Sequence, residues 1–194
     1  MDLDFLQSIM GGEEMGAAET AYQDIWVVGE VSAGELFPAT RALVGKARDM
    51  ANALGVYVKG LLFGPEESAA NEMVSYGADV VYLLEGAGLE SFATEPFVEA
   101  LARQIENGRP EIVLFSATSL AGELAPRLAA RFRAPLFTHC IDLGIDEAQR
   151  ALLATVPRLG GEYYEILVSP TLRPQLATVE PGILPMPFAD PYRY

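Results

Sequence analysis

This sequence holds few residues that bind soft metals or form cross-links. Its one cysteine, Cys140, and one histidine, His139, give neither a disulfide framework nor a cysteine–histidine zinc site within the chain. A lone thiol fits a reducing compartment, so the expected location is the cytoplasm. Positive charge is also scarce: 13 Lys and Arg stand against 27 Asp and Glu, a net charge of −14. Such a surface repels nucleic acid, and no nucleic-acid partner is expected. No apolar run approaches the roughly 18–20 residues of a membrane span. The start, Met1-Asp-Leu-Asp-Phe-Leu-Gln7, lacks the basic flank of a signal peptide. The phosphate-loop motif G-x-x-x-x-G-K-S/T is missing. So is G-x-G-x-x-G, because Gly29 to Gly34 reads Gly-Glu-Val-Ser-Ala-Gly without the middle glycine. That excludes the usual Rossmann dinucleotide site.

What is present is an alternation of short apolar runs and amphipathic stretches. Hydrophobic residues make up 51% of the chain, enough for a substantial core in a chain of 194 residues. Residues 25–29 read as a buried strand, followed by a helix over 38–54 whose apolar face is Leu43, Ala47, Met50, Ala51 and Leu54. Strands are expected over 56–63, 80–84 and 111–117, with helices over 66–76 and 94–108 between them. Pro126 is tolerable only in a first helical turn, so the last helix is expected to start near Gly122. Strands alternating with helices define an α/β chain, a three-layer Rossmann-like open parallel sheet. After Pro135 the pattern changes to extended pieces, 136–145, 152–156, 163–168 and 176–179, with a tight turn at Gly160-Gly161. These read as a C-terminal antiparallel extension.

Two flanks complete the organisation. Residues 1–24 form an acidic N-terminal arm, with a short helix expected around 4–10; eight acidic residues precede the first basic one, Arg41. The arm serves solubility or docks on a basic partner. Residues 25–180 form the folded domain. Residues 181–194 form an extended tail holding four prolines, whose apolar and aromatic residues call for a surface on this chain or another. Tyr194 and its neighbours are expected in a subunit contact.

The richest segment is 110–131, a wholly apolar strand, a loop of small hydroxyl residues and then a helix. In an open parallel sheet such a strand-to-helix junction is where ligands bind, and the first helical turn favours an anion. Helix capping accounts for Ser116, Thr118 and Ser119 as readily as ligand contact does. No catalytic serine constellation stands out, and no catalytic residue is assigned. His139 and Cys140 read as packed strand residues.

Five motifs occur in order: Ile25-Trp-Val-Val-Gly-Glu30; Tyr76-Gly-Ala-Asp-Val-Val-Tyr82; Ala117-Thr-Ser-Leu120 with Leu124-Ala-Pro-Arg-Leu-Ala-Ala-Arg131; Thr138-His-Cys-Ile-Asp142; and Arg173-Pro-Gln-Leu-Ala-Thr-Val179 with Pro181-Gly182. Together they resemble the N-terminal α/β domain of the electron transfer flavoprotein alpha subunit, over about residues 25–187. The resemblance implies a partner beta-type subunit of like fold and a second domain that carries FAD. Because the chain stops at Tyr194, that FAD domain is expected on a separate chain. Three cations of the family pattern are replaced, by Gly122, by Val156 before Pro157, and by Glu180. Their loss weakens any site for an anionic flavin or phosphate, at roughly 1.5–3 kcal/mol for each charge-assisted hydrogen bond.

The implied role is the assembly half of an electron-transfer complex, without chemistry of its own, working with a dehydrogenase or quinone-linked redox partner. The main FAD site is not expected on this chain. Two alternatives stand beside it: a stand-alone module binding an adenine nucleotide such as AMP, or a cofactor-less scaffold. Should a nucleotide touch the chain, the residues expected to meet it are Ser116, Thr118, Ser119, Glu123 and Arg127.

Overall fold

The computed structural model describes residues 21–193. The expected arm, including the helix around 4–10, lies outside the described residues except for its last few positions, and so does Tyr194.

Strand β1 (Ile25–Val28) is buried along its whole length because helices cover both faces of the sheet. Its side chains alternate between two separate cores. Ile25 and Val27 join the one beneath α1 (Pro38–Leu54) and α2 (Glu67–Ser75). Trp26 and Val28 join the one beneath α3 (Thr94–Gly108) and α4 (Ser119–Phe132). Strand β6 (Ile112–Ser116) repeats the division, Ile112 and Leu114 against Val113 and Phe115. This period of two makes the molecule three-layered.

The other strands are β2 (Val31–Ser32), β3 (Glu35–Leu36), β4 (Val58–Phe63), β5 (Val80–Leu84), β7 (Leu136–Cys140), β8 (Asp142–Asp146), β9 (Ala151–Arg158), β10 (Tyr163–Leu167) and β11 (Gln175–Val179). Six form one sheet in the order β5-β4-β1-β6-β11-β7, parallel throughout. Strands β10-β9-β8 form an antiparallel sheet, the expected extension.

Three features depart from the sequence reading. First, β7 and β11 belong to the parallel sheet and not to the extension, and β11 is inserted between β6 and β7. Strand β11 is buried at every position, which a central parallel strand requires. Second, α4 starts at Ser119, not near Gly122, and carries Pro126 inside it. Thr118 caps it, accepting from the Ala121 N–H at 3.3 Å, and this starts the helix earlier. Pro126 lies on the exposed face, where the carbonyl of Gly122 that it cannot bond is open to water. Third, the chain leaves β1 through a small β2–β3 hairpin whose turn residues Ala33 and Gly34 both have positive φ, as a type I′ turn needs.

Helix α1 follows its sequence signals, with Pro38 at its first position and Gly55 left-handed at its C-cap. At the end of α3, a Cβ on Gly108 would lie 2.3 Å from Cζ2 of Trp26, so only glycine lets the helix approach the indole. The tail lies back on its own chain. Pro187 sits where a Cβ on Gly45 of α1 would be, Asp190 donates to the Ser75 carbonyl at 2.8 Å, and Arg193 pairs with Asp79. Phe188 and Tyr192 of the tail nevertheless stay exposed. Among the described residues no helix is long and apolar enough to cross a membrane.

Candidate functional site

The sheet has one topological switch point. From β1 the chain winds outward through β4 and β5, then crosses to β6 on the other side. The loops after β1 and β6 therefore part company at their carboxyl ends, and the crevice between them is the expected ligand position.

Glu30 stands there, two residues past the end of β1. Its Oε1 accepts a hydrogen bond from the Thr118 hydroxyl at 2.6 Å, and its own N–H donates to Oγ1 of Thr40 at 3.2 Å. Thr118 thus links the two loops across the switch point while capping α4. Burial pushes the Glu30 carboxyl above its ordinary value, and the Thr118 bond offsets part of that. The contact sets a carboxylate of the chain itself beside the helix amino terminus, where the helix field favours negative charge. Gly29 allows this turn: a Cβ there would lie 2.6 Å from Cδ2 of Leu62.

A cavity of about 230 Å³ opens beside Glu30. The β4 end contributes Phe63, the start of α2 contributes Glu66, the loop after β5 contributes Glu90 and Phe92, and α3 contributes Phe97. Phe63 and Phe97 stack with centroids 3.9 Å apart, and Phe92 meets Phe97 edge-on at 5.2 Å. No lysine or arginine lines the cavity among the described residues.

The residues expected to meet a nucleotide are dispersed. Ser116 is 2% exposed, its hydroxyl has no partner in the structure, and it faces a cleft of about 10 Å³ under the tail. Thr118 is committed to Glu30 and to the cap. Ser119 is the exposed first residue of α4. Glu123 and Arg127 form an ion pair with each other at 2.8 Å on the exposed face of the helix, and neither lines the cavity. Sequence reasoning passed over Glu30, Glu66 and the three phenylalanines. The signal for Glu30 was present, a glutamate closing the first strand; the aromatic residues come from separate elements that only folding brings together.

The neighbouring strand ends differ from expectation in one respect. Cys140 is buried and its thiol is pushed up to about 12 by desolvation, so it stays protonated and inert. His139, expected to be packed, instead has a φ of 55° where the β11–β7 register shifts, points outward and pairs with Glu180. Of the positions where the family pattern carries cations, Val156 is now core, and Gly122 faces open space.

The model of the electron transfer flavoprotein domain matches residues 25–192, and the chain belongs to that family. It is 35% identical over 173 residues to an electron transfer flavoprotein subunit alpha of Thermoanaerobacterium thermosaccharolyticum, covering 89% of this chain and 52% of the relative. A FixB protein of Rhizobium meliloti is 34% identical over 171 residues, 86% of this chain and 48% of its own length. The subunit LctC of a lactate dehydrogenase (NAD(+),ferredoxin) from Acetobacterium woodii is 33% identical over 176 residues, 90% and 42% of the two chains. The chain spans about half the length of these relatives, and its character is that of an alpha-type subunit.

Members of this family are flavoproteins, and the cavity described above does not fit a flavin dinucleotide. Its volume of about 230 Å³ is small; pockets for drug-sized ligands run to roughly 300–1,000 Å³. Its carboxylates would also repel a pyrophosphate.

Proposed function

We propose that this chain serves as the α/β half of an electron transfer flavoprotein alpha-type subunit, providing assembly surface and geometry, with the FAD held outside the residues described here. The observation that carries this reading is the continuous match to alpha subunits over about half their length, combined with a switch point that offers a phosphate no cation. The redox chemistry would then belong to the flavin, with protein groups placing and tuning it. A beta-type chain is the expected partner, and a dehydrogenase or quinone-linked protein the expected exchanger of electrons.

Exposed apolar residues support a role in assembly. Strand β10 is an edge strand, and Tyr163, Tyr164 and Ile166 on it are 52%, 63% and 64% exposed. An unpaired edge with such side chains is a surface that a partner covers. The test is purification of the complex from its native host through this chain, with identification of every chain and a visible spectrum. A flavin spectrum with a beta-type chain present supports the proposal. A colourless protein, alone or as a self-oligomer, would falsify it.

A further inference from the structure

The small antiparallel sheet β10-β9-β8 has two edges of different character. Strand β8 begins and ends with a charge, Asp142 and Asp146, and Lys46 pairs with Asp142 at 2.9 Å. Strand β10 carries none of the devices that keep an edge from pairing. It has no lysine, no proline and no bulge against β9. Residues paired across a ladder share a face. Tyr164 and Ile166 therefore lie on one side of the sheet with their partners Pro157 and Thr155. Val168, two positions further on, is also half exposed. The one charge within β10, Glu165, sits on the other face and is taken by Arg158 at 2.7 Å.

We propose that the chain on its own forms a dimer in which β10 pairs antiparallel with β10 of a second copy, joining the two small sheets into one. A two-fold contact pairs residue i with j and j with i, so one residue of the ladder faces its own counterpart. Centred on Glu165, the ladder would set two carboxylates opposite each other, which is destabilising. Centred on Tyr164, it would set Glu162 opposite Ile166. Centred on Ile166, it sets Tyr164 opposite Val168 and Glu165 opposite Leu167. Only this register lays the apolar row on itself and keeps the carboxylates apart. The area suffices for a second copy. Tyr163, Tyr164, Ile166 and Val168 are about half exposed or more. With the strand backbone they offer on the order of 600 Å² per copy, which reaches the lower limit of a stable interface, about 1,200 Å² in all. Charge opposes the contact, since each copy carries −14, and salt that screens this repulsion tightens the dimer. The inference goes beyond the proposed function, because it concerns the chain without a beta-type partner. A chain that stays monomeric would overturn it and leave that reading untouched.

The test is sedimentation equilibrium of the full chain purified alone, over a range of protein and salt concentrations. A monomer–dimer equilibrium that tightens with salt is expected. Ile166→Lys sets two ammonium groups opposite each other and is expected to weaken the dimer at least about tenfold. Phe188→Lys makes the same change of charge on the exposed tail and is expected to leave the dimer unchanged. Both positions are exposed, so neither variant disturbs the core. Mild oxidation is expected to cross-link copies of Ile166→Cys and not of Tyr164→Cys, since only residue 166 faces itself; the natural Cys140 is buried. Five results would each overturn the inference: a monomer at every concentration up to about 100 μM, above the micromolar range of such interfaces; a dimer that dissociates as salt rises; a dimer that Ile166→Lys leaves intact; equal weakening by both lysine variants; or cross-linking through Tyr164→Cys in place of Ile166→Cys.

Discussion

At the amino ends of the strands, the residue immediately before β1, β5 and β6 is a carboxylate, and each has a cation. Asp24 meets Lys59 at 2.8 Å, Asp79 meets Arg48 at 2.6 Å, and Glu111 meets Arg150 at 2.7 Å with Arg173 at 3.6 Å. These groups also tie the strands together: Asp24 accepts from the Tyr57 N–H at 3.1 Å and Asp79 from the Val58 N–H at 2.7 Å. At the carboxyl ends, Glu30 and Glu66 follow β1 and β4 and have no cation among the described residues. The same side-chain type therefore plays two parts. Below, it is paired and holds strand starts in register; above, it stands beside a cavity with no cation among the described residues. A buried charge with a partner is structure, whereas a half-buried charge without one is open to a ligand or a second chain.

The largest expected effect comes from breaking the lower end. Arg150→Ala leaves the 3%-exposed Glu111 carboxylate without its nearest cation. The loss should be about 1.5–3 kcal/mol, the scale of a hydrogen bond to a charged group, since Arg173 still lies 3.6 Å from Glu111, and is read by chemical denaturation. A loss below about 1 kcal/mol would mean that Arg173 alone suffices and the lower end is not the rigid one. At the upper end, Thr118→Ala removes the α4 cap and the only hydrogen bond given to the Glu30 side chain among those described. It should cost about 1 kcal/mol, near the value of an ordinary cap. A cost like that of Arg150→Ala would erase the contrast between the two ends.

The smallest effect is one of pH. Because burial raises the folded pKa of Glu30 above its ordinary 4.5, the folded chain keeps a proton that the unfolded chain has already released. Stability from this group is thus full below 4.5 and falls as pH rises through the raised value. Glu30→Gln removes that fall, so the variant should gain on the natural chain between acid and neutral pH. The check is denaturation of both proteins across that window; a constant difference between them would count against a desolvated Glu30.

The sequence showed the βα alternation wherever it was local. Pro38 and Gly55 mark the ends of α1, and the helix over 94–108 is found at the expected bounds. What stayed hidden was pairing. Between 136 and 179 the chain has no α-helix, only a 3-10 turn at Leu159–Gly161, so an antiparallel reading was natural. Yet the run Gln175–Val179 enters the middle of the parallel sheet, and its neighbours in space, β6 and β7, are distant in sequence. The contrast with β10 was legible in retrospect, since Tyr163–Leu167 mixes charge and aromatics where β11 has none of either. The candidate site shows the same limit. The loop at Ser116–Ser119 was placed correctly at a strand's carboxyl end, but its counterpart Glu30 lies 88 positions from Thr118 in sequence. A hydrogen bond across the switch point connects them, and no local pattern encodes it.

The most direct measurement is a titration of the isolated chain with FAD, followed by the visible spectrum of the protein fraction after gel filtration. A colourless fraction is expected, with flavin retained only when partner chains are added. A yellow fraction with one FAD per isolated chain would contradict it, since the carboxylate-lined switch point offers a pyrophosphate nothing to hold.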